Sequence, residues 1–491
     1  MIQESLFACE SVDLFAGGGG ASLGILRATG RAPSVAINHD PAAIQMHAAN
    51  HPGTLHLCES VFAVAPFLPR GRSIDLLWLS PDCTHHSRAK GGKPLSNDRR
   101  GLAGIGVVWA RAVRPRVIAL ENVPEWLAWG PLHPDDHPDE GLRGRPIAER
   151  AGESFRAWAG ELEALGYHVE WRCLVAADYG APTTRRRLFL IARCDGRPIV
   201  WPEPTHGAGR AQPWRTAAEC IDWSIPCPSI FERARPLAEA TQRRIAEGLR
   251  RYVLTAARPF IVTTGHQSSD GGKVRPVEAP LSTIVTKAEH LLVAPHLTKF
   301  YGSSRAGVGL DQPTPTVTAG GGRGGGHAGL VAAWLAKHYG GVVGHEVERP
   351  LGTVTAQDHH SLAAAALAPC GQPGDNAAKV AAFVLKYYGA GVGQHQAASE
   401  PMHTIVTKAR FGLVTVDLEG VPYTVVDIGM RMLQPRELAR AQGFGDDYLL
   451  TGTKTEQIAR IGNSAPPHVV EAIVRAQFGG RGDPVAVGMV A

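Results

Sequence analysis

The chain is short of several things. Net charge is one: 50 Lys and Arg against 45 Asp and Glu leave only +5 over 491 residues, which permits nucleic-acid binding without arguing for it. Cysteine is another. The eight at positions 9, 58, 83, 173, 194, 220, 227 and 370 are too few and too scattered for a disulfide framework, and without a CxxC pair to suggest zinc they read as reduced thiols. No run of about 18 apolar residues occurs, and the first ten residues lack a basic n-region and an apolar h-region. The expectation is a cytoplasmic protein without membrane contact. Charged residues are 19% and apolar residues 44%, with a mean hydropathy of -0.08, which excludes disordered, collagen-like and coiled-coil chains. Glycine (57) and proline (36) are plentiful, about a fifth of the chain together, so turns and short strands should be common. The length fits two to four domains, or one large domain carrying an insertion.

The first part of the chain alternates strand-like and helix-like segments. Ser11–Phe15 runs into Ala16-Gly17-Gly18-Gly19-Gly20, and Ala21 to Arg27 reads as a helix. Further strands are expected at Ser34–Ile37, Ile74–Leu79, Arg116–Leu120, Val169–Ala176 and Arg187–Ala192, with a helix between Gly152 and Gly166 carrying Phe155, Trp158, Leu162 and Leu165 at helical spacing. Such alternation implies a mostly parallel, doubly wound α/β sheet, which binds ligands at the carboxyl ends of its strands.

After about Pro202 the texture becomes richer in Gly, Pro, Thr and His, and a repeat appears. Four segments share a Pro, a Thr-bounded β-branched run, a His or aromatic residue and an apolar close: Pro280–Thr286 with His290, Pro313–Thr318 with His327, Pro350–Thr355 with His360, and Pro401–Thr407 with Phe411. Each unit is too small to fold alone, so the units should stack or pair as short β elements. Helix-compatible sequence returns from about Val425, with Pro435–Gln442 and Ile461–Pro467.

Several strand ends carry candidate chemistry. The glycine turn after Phe15 brings backbone and a helix N-terminus close to a ligand, but it lacks the third glycine of a dinucleotide fingerprint, which disfavours a nicotinamide enzyme. A tight turn alone would explain it too. Asn38-His39-Asp40 follows the second strand, where a polar side chain could meet a ribose or simply occupy an exposed turn. Cys83 lies in a polar turn beyond the third strand, where access and a lowered pKa can coexist as a nucleophile needs; a buried inert thiol is the bland alternative. The basic, glycine-bearing segment Arg88–Pro94 reads as a closing loop or a solvated one. Glu121 ends the next strand, where burial could raise its pKa enough to share a proton, or where it could cap a helix. Arg185, Arg186 and Arg187 precede a strand whose alternation sends them to different faces.

Taken in order, Asp13-Leu-Phe-Ala-Gly-Gly-Gly19, Pro81-Asp-Cys83, Glu121-Asn-Val123, Arg185-x-Arg187, Arg436–Phe444 and Gly462-Asn-Ser-x-Pro-Pro467 resemble the motifs of the DNA cytosine-5 methyltransferases of bacterial or phage type. The resemblance covers about residues 8–200 and 425–475. It implies a Rossmann-like S-adenosylmethionine-dependent methyltransferase domain with an inserted, β-rich target-recognition domain containing internal repeats. The implied divisions are 1–205 for the first part of the catalytic domain, 206–424 for target recognition with the repeats at about 260–416, 425–478 for the returning segment and 479–491 for a flexible tail.

The resemblance further implies that Cys83 adds to C6 of a flipped-out cytosine, that Glu121 holds its N3 and exocyclic amine, and that Arg185 and Arg187 fix the base and its surroundings. The cofactor-binding set would be Asp13, Phe15, Ala16, Gly17, Gly18, Gly19, Asn38, His39, Glu59, Ser60, Pro81, Asn463 and Ser464, with Phe15 on the adenine and the glycine turn at the methionine end. The chain departs from the usual Pro-Cys-Gln by having Pro81-Asp82-Cys83-Thr84, a variant similar to a recognised subgroup. Asn38 stands where an acidic residue usually contacts the ribose, with Asp40 as a substitute, and Thr183 replaces the Gln before the arginines. The implied partner is double-stranded DNA, with no metal, and a monomer. A cognate restriction endonuclease stays open, as do an RNA substrate and a catalytically silent DNA-binding role.

Overall fold

The structure is a computed structural model that describes residues 9–82, 102–237 and 427–479 nearly completely, with scattered residues and strand backbone between 238 and 426. Cys83 and the segment Arg88–Pro94 lie outside the described residues.

Seven strands form the first sheet: β1 (Ser11–Leu14), β2 (Val35–Ile37), β3 (Leu55–Leu57), β4 (Leu76–Leu79), β5 (Val117–Asn122), β6 (His168–Val175) and β7 (Arg186–Arg193). Their order is β3-β2-β1-β4-β5-β7-β6. Only β7 runs against its neighbours, while the pairings among β1 to β5 are all parallel. Helices α1 (Gly20–Thr29), α2 (Pro41–Asn50), α3 (Gly104–Val113) and α4 (Glu153–Ala164) connect them, and α5 (Pro435–Gln442), α6 (Lys454–Asn463) and α7 (Pro467–Phe478) follow much later in the chain.

Strands β1, β2, β4 and β5 are buried along their whole length because both faces are covered. Alternate residues feed two cores. Val12, Leu14, Leu77, Leu79, Ile118 and Leu120 pack with Trp109, Trp158 and Leu162 from α3 and α4. Leu76, Trp78, Val117, Ala119, Phe189 and Ile191 pack with Ile25 of α1 and Val469, Val470 and Ile473 of α7. The last helix thus covers a face begun by the first. A Cβ at Gly24 would stand 2.5 Å from Val470 and 2.6 Å from the Pro467 carbonyl, so glycine is what lets α1 and α7 approach.

Strand β5 extends two residues past the expected Leu120, which puts Glu121 and Asn122 inside the strand. Helices α2 and α3 and strand β3 were not expected. The N-terminal signal for α2 is nevertheless present: Asp40 accepts from the Ala42 N–H at 3.0 Å, ahead of Pro41 at the first helical position.

Between β7 and α5 lies a second sheet of ten strands, whose long strands Ala328–Lys337, His360–Pro369 and Val421–Met432 pair antiparallel. Strands from the first and third repeat units, Ile284–Lys287 and Thr353–Gln357, pair in parallel, so these two units do pair as short β elements. Where the chain leaves this sheet, Arg431 meets Glu437 of α5 at 2.8 Å in a buried ion pair. Arg431 also donates to the Asp222 and Ile225 carbonyls, and Glu437 accepts from the Asp222 and Gln434 N–H groups. Partners on every side are what make a buried pair tolerable.

Candidate active site and cofactor crevice

Strands β1, β2 and β3 run to one side and β4 returns to the other side of β1, so the sheet has its switch point between β1 and β4. Ligands of open α/β sheets bind outside the strand ends at such a point. A crevice lies there, lined by Asp13, Phe15, Ala16, Gly17, Gly18, Gly19, Gly20, Ala21, Ser80, Asn463, Ser464 and Ala465.

The local backbone explains its shape. Phe15 sits at φ 66, a left-handed conformation uncommon for a side chain of its size, and the Ala16 N–H donates to the Ile37 carbonyl at 3.0 Å, turning the chain sharply off β1. A Cβ on Gly18 would meet Ser464 Oγ at 2.5 Å, one on Gly19 would meet the Tyr448 hydroxyl at 2.0 Å, and one on Gly20 would meet the Ala465 carbonyl at 2.1 Å. These three glycines seat the turn against the returning C-terminal segment. A Cβ on Gly17 meets only the Phe15 carbonyl at 3.9 Å and would project into free space.

Asp13 is fully buried. Its Oδ2 accepts from Ser22 Oγ at 2.7 Å, and its Oδ1 has no hydrogen-bond partner. Burial pushes this carboxyl up to about 7, the Ser22 bond offsetting part of the rise.

The second group stands at the end of β5. Glu121 is buried and pairs with Arg187 Nε at 3.2 Å across β5 and β7. Residue 189 is opposite Glu121 in the ladder, so Arg187 is its diagonal neighbour. Burial raises the Glu121 pKa, and Arg187 and Arg185 work against that rise. Arg185 and Arg187 are both buried while Arg186 is exposed, the alternation expected of a strand. Asn122 Nδ2 donates to the Pro81 carbonyl at 3.2 Å, and its Oδ1 accepts from the Val123 N–H at 2.8 Å. The end of β5 is thereby tied to the chain two residues before Cys83.

The crevice gathers Asp13, Phe15, Ala16, Gly17, Gly18, Gly19, Asn463 and Ser464, and adds Ser80 and Ala465, which sequence reasoning missed. It does not include Asn38, His39, Glu59 or Ser60. Those four follow the ends of β2 and β3. His39, Glu59 and Ser60 are exposed, and Asn38 Oδ1 accepts from the Asp40 N–H at 2.8 Å. Asp40 caps α2 with its own side chain, which explains its presence without a ribose. Pro81 is buried beneath the β4 end. Among the described residues, no group of three or more His, Cys, Asp or Glu could hold a metal ion, and no helix is long and apolar enough to cross a membrane.

A doubly wound sheet with one reversed strand, a glycine turn after β1 and a buried carboxylate inside β5 make up a Rossmann-like domain. The profile of the C-5 cytosine-specific DNA methylases matches residues 9–208 and 378–478, and the chain belongs to that family. It is 26% identical over 256 residues to the type II methyltransferase M.AquIA of a Picosynechococcus species, covering 48% of this chain and 96% of the relative. It is 29% identical to M1.HphI of Haemophilus parahaemolyticus over 42% of this chain and 52% of the relative. To M.XorII of Xanthomonas oryzae it is 32% identical over 40% and 43%. The match thus spans nearly all of the first relative and about half of the other two. Among solved structures, a mutant of Spodoptera frugiperda DNMT2 aligns over 96% of this chain and all of that one, with a TM-score of 0.48 and 12% identity.

Proposed function

We propose that the protein transfers a methyl group from S-adenosylmethionine to C5 of cytosine in double-stranded DNA, at a short sequence read by an inserted region spanning about 206–424. The observation that carries this reading is the tie between three strand ends: the β1 crevice, the Pro81 carbonyl held by Asn122, and Glu121 beside Arg187. The matched family and the type II names of the relatives support DNA as substrate and a modification role.

The residues present fit the cofactor. Asp13 offers a buried oxygen without a partner, suited to an ammonium group, and Gly17 leaves room that a side chain would fill. S-adenosylmethionine supplies an electrophilic methyl on a cationic sulfur. Phe15 would pack on its adenine, the glycine turn would take its methionine end, and Asn463 and Ser464 would border it, with Asn38, His39, Glu59 and Ser60 reaching the adenosine from the β2 and β3 ends.

The target carbon lies inside the base stack, so the nucleotide must be flipped out. The Cys83 thiolate adds to C6, forming a carbon–sulfur bond and leaving C5 electron-rich. Glu121, raised by burial and held by Arg187, accepts from the exocyclic amine and shares a proton with N3, which offsets the negative charge that develops on the ring as the adduct forms. Arg185 fixes the base. Once C5 carries the methyl group, its proton passes to water, the C–H electron pair restores the C5–C6 double bond, and the C6–sulfur bond breaks to return the thiolate.

Methylation sequencing of plasmid DNA from cells expressing the protein, beside its Cys83→Ala variant and an empty vector, tests the proposal. A 5-methylcytosine motif present only with the wild type is the expected result. Methyl incorporation into RNA but not DNA would contradict it.

A further inference from the structure

Beneath the glycine turn lies a chain of side chains that the proposed reaction does not use. Ser22 Oγ donates to Asp13 Oδ2 at 2.7 Å, His47 Nε2 is 2.8 Å from Ser22 Oγ, and His47 Nδ1 is 2.8 Å from His56 Nε2. Ser22 is on α1, His47 on α2 and His56 on β3, so three elements converge on one carboxylate. His47 is fully buried and His56 is partly exposed, which gives the chain a dry end and a wet end.

The proton order follows from the carboxylate, which can only accept when ionised. Ser22 spends its proton on Asp13, so its oxygen accepts from His47 Nε2–H. Burial and the neighbouring His51 and His56 hold His47 well below the ordinary histidine value, so it is neutral and its bare Nδ1 accepts from His56 Nε2–H. Every donor in the line points toward Asp13. With Asp13 protonated on Oδ2 the same line runs in reverse, each link donating outward. Switching between the two orders carries one proton from Asp13 to His56, which then releases its Nδ1 proton to water.

We propose that Ser22, His47 and His56 are positioning residues of the cofactor site, a relay that orients Asp13 toward the cofactor's ammonium group and conducts to solvent the proton displaced when that cation binds. This rests on reading the crevice as the S-adenosylmethionine site. The other groups around Asp13 do not compete for the role. His51 stands 3.5 Å from the Tyr448 hydroxyl, which donates to the Gly18 carbonyl at 2.9 Å. Burial depresses His51 to about 4, so it stays neutral, and burial raises the Tyr448 hydroxyl far above neutral pH. Arg460 directs its guanidinium to the Thr451 carbonyl. Burial lowers His56 as well, which leaves Asp13, pushed up to about 7, as the group of this cluster whose charge changes near neutral pH.

The test is calorimetry of the full chain with S-adenosylhomocysteine, which keeps the ammonium group and undergoes no transfer, at pH 6 to 8 in buffers of different ionisation enthalpy. Wild type should release most of one proton per ligand at pH 6 and little at pH 8. Ser22→Ala and His47→Leu should weaken binding by about tenfold or more, as expected for a lost bond to a charged group. Their affinity should rise with pH at a higher midpoint, and His47→Gln, which keeps an N–H donor, should restore most of the loss. Should the variants fold poorly, wild type with 5′-methylthioadenosine, which lacks the ammonium group, gives the same answer: it should bind without proton release. Equal release with both ligands, or variants that match wild type in affinity and midpoint, would overturn the relay. Wild type binding neither ligand would overturn the cofactor reading and the relay with it.

Discussion

Two buried carboxyls sit at the carboxyl ends of the same sheet, and the difference between them teaches how one fold prepares two chemistries. Asp13 at the end of β1 faces only neutral partners, a serine backed by histidines, and burial carries it to about 7. Glu121 at the end of β5 is also raised by burial, but Arg187 and Arg185 counteract the rise. A carboxyl among neutral donors gains most when a cation arrives. One already paired with guanidinium groups keeps its charge balanced and can hold a neutral base through hydrogen bonds. In the proposed reaction the first arrangement would meet the cationic cofactor and the second the cytosine ring.

The largest effect should come from breaking the pair on the base side. Arg187→Ala leaves Glu121 buried without its partner, a loss of about 3–5 kcal/mol, measurable by denaturant unfolding; adding Glu121→Gln to the same chain should recover much of it. The cofactor side should respond to pH instead. The Asp13 value in the folded protein lies above the ordinary 3.8. Below about pH 4 the carboxyl is neutral both folded and unfolded, and its burial costs nothing extra. Between about 4 and 7 the unfolded chain ionises first and stability is lost, up to about 4 kcal/mol by the linkage relation. Above 7 the loss is complete. Asp13→Asn, followed by unfolding without cofactor across that range, should flatten this part of the profile.

Glu121→Gln keeps the shape and removes the charge, so it should slow methyl transfer by about 100-fold or more while S-adenosylhomocysteine affinity stays within about twofold. A matching loss of affinity would mean that the two sites are not separable. The smallest effect distinguishes two neighbouring glycines. Gly17→Ala should leave the unfolding midpoint nearly unchanged and weaken cofactor binding, because its Cβ enters open crevice. Gly20→Ala, whose Cβ would press on the Ala465 carbonyl, should lower the midpoint.

Most of the sheet was legible because β2, β4, β5 and β7 carry continuous apolar runs bounded by glycine, proline or polar residues, and Glu121 could be placed at a strand end for that reason. The relay was not legible. Helix α2 is Pro41-Ala-Ala-Ile-Gln-Met-His-Ala-Ala-Asn50 and lacks the apolar stripe that announces a helix, and β3 has three residues. His47 and His56 therefore had no recognised elements to carry them, although Asp40-Pro41 was a usable start signal. Helix α3 carries Gly104 and Gly106 in its first turn, which weakens its propensity. Asn122 was read as lying beyond its strand, and only the extra length of β5 reveals that it holds the Pro81 carbonyl. The crevice lining was legible where it sits on the turn itself, whereas Asn38, His39, Glu59 and Ser60, expected beside it, follow the ends of β2 and β3 and do not line that crevice.

The central claim is that Cys83 forms a transient bond to the cytosine ring next to a site that holds S-adenosylmethionine. Duplex DNA carrying 5-fluorocytosine in place of cytosine tests it directly, because fluorine at C5 cannot depart as a proton does and the adduct cannot break down. Incubation with S-adenosylmethionine followed by denaturing electrophoresis should show a protein–DNA species with the wild type and none with Cys83→Ser. The same species formed by Cys83→Ser, or none formed by a wild type that methylates ordinary DNA, would contradict the account.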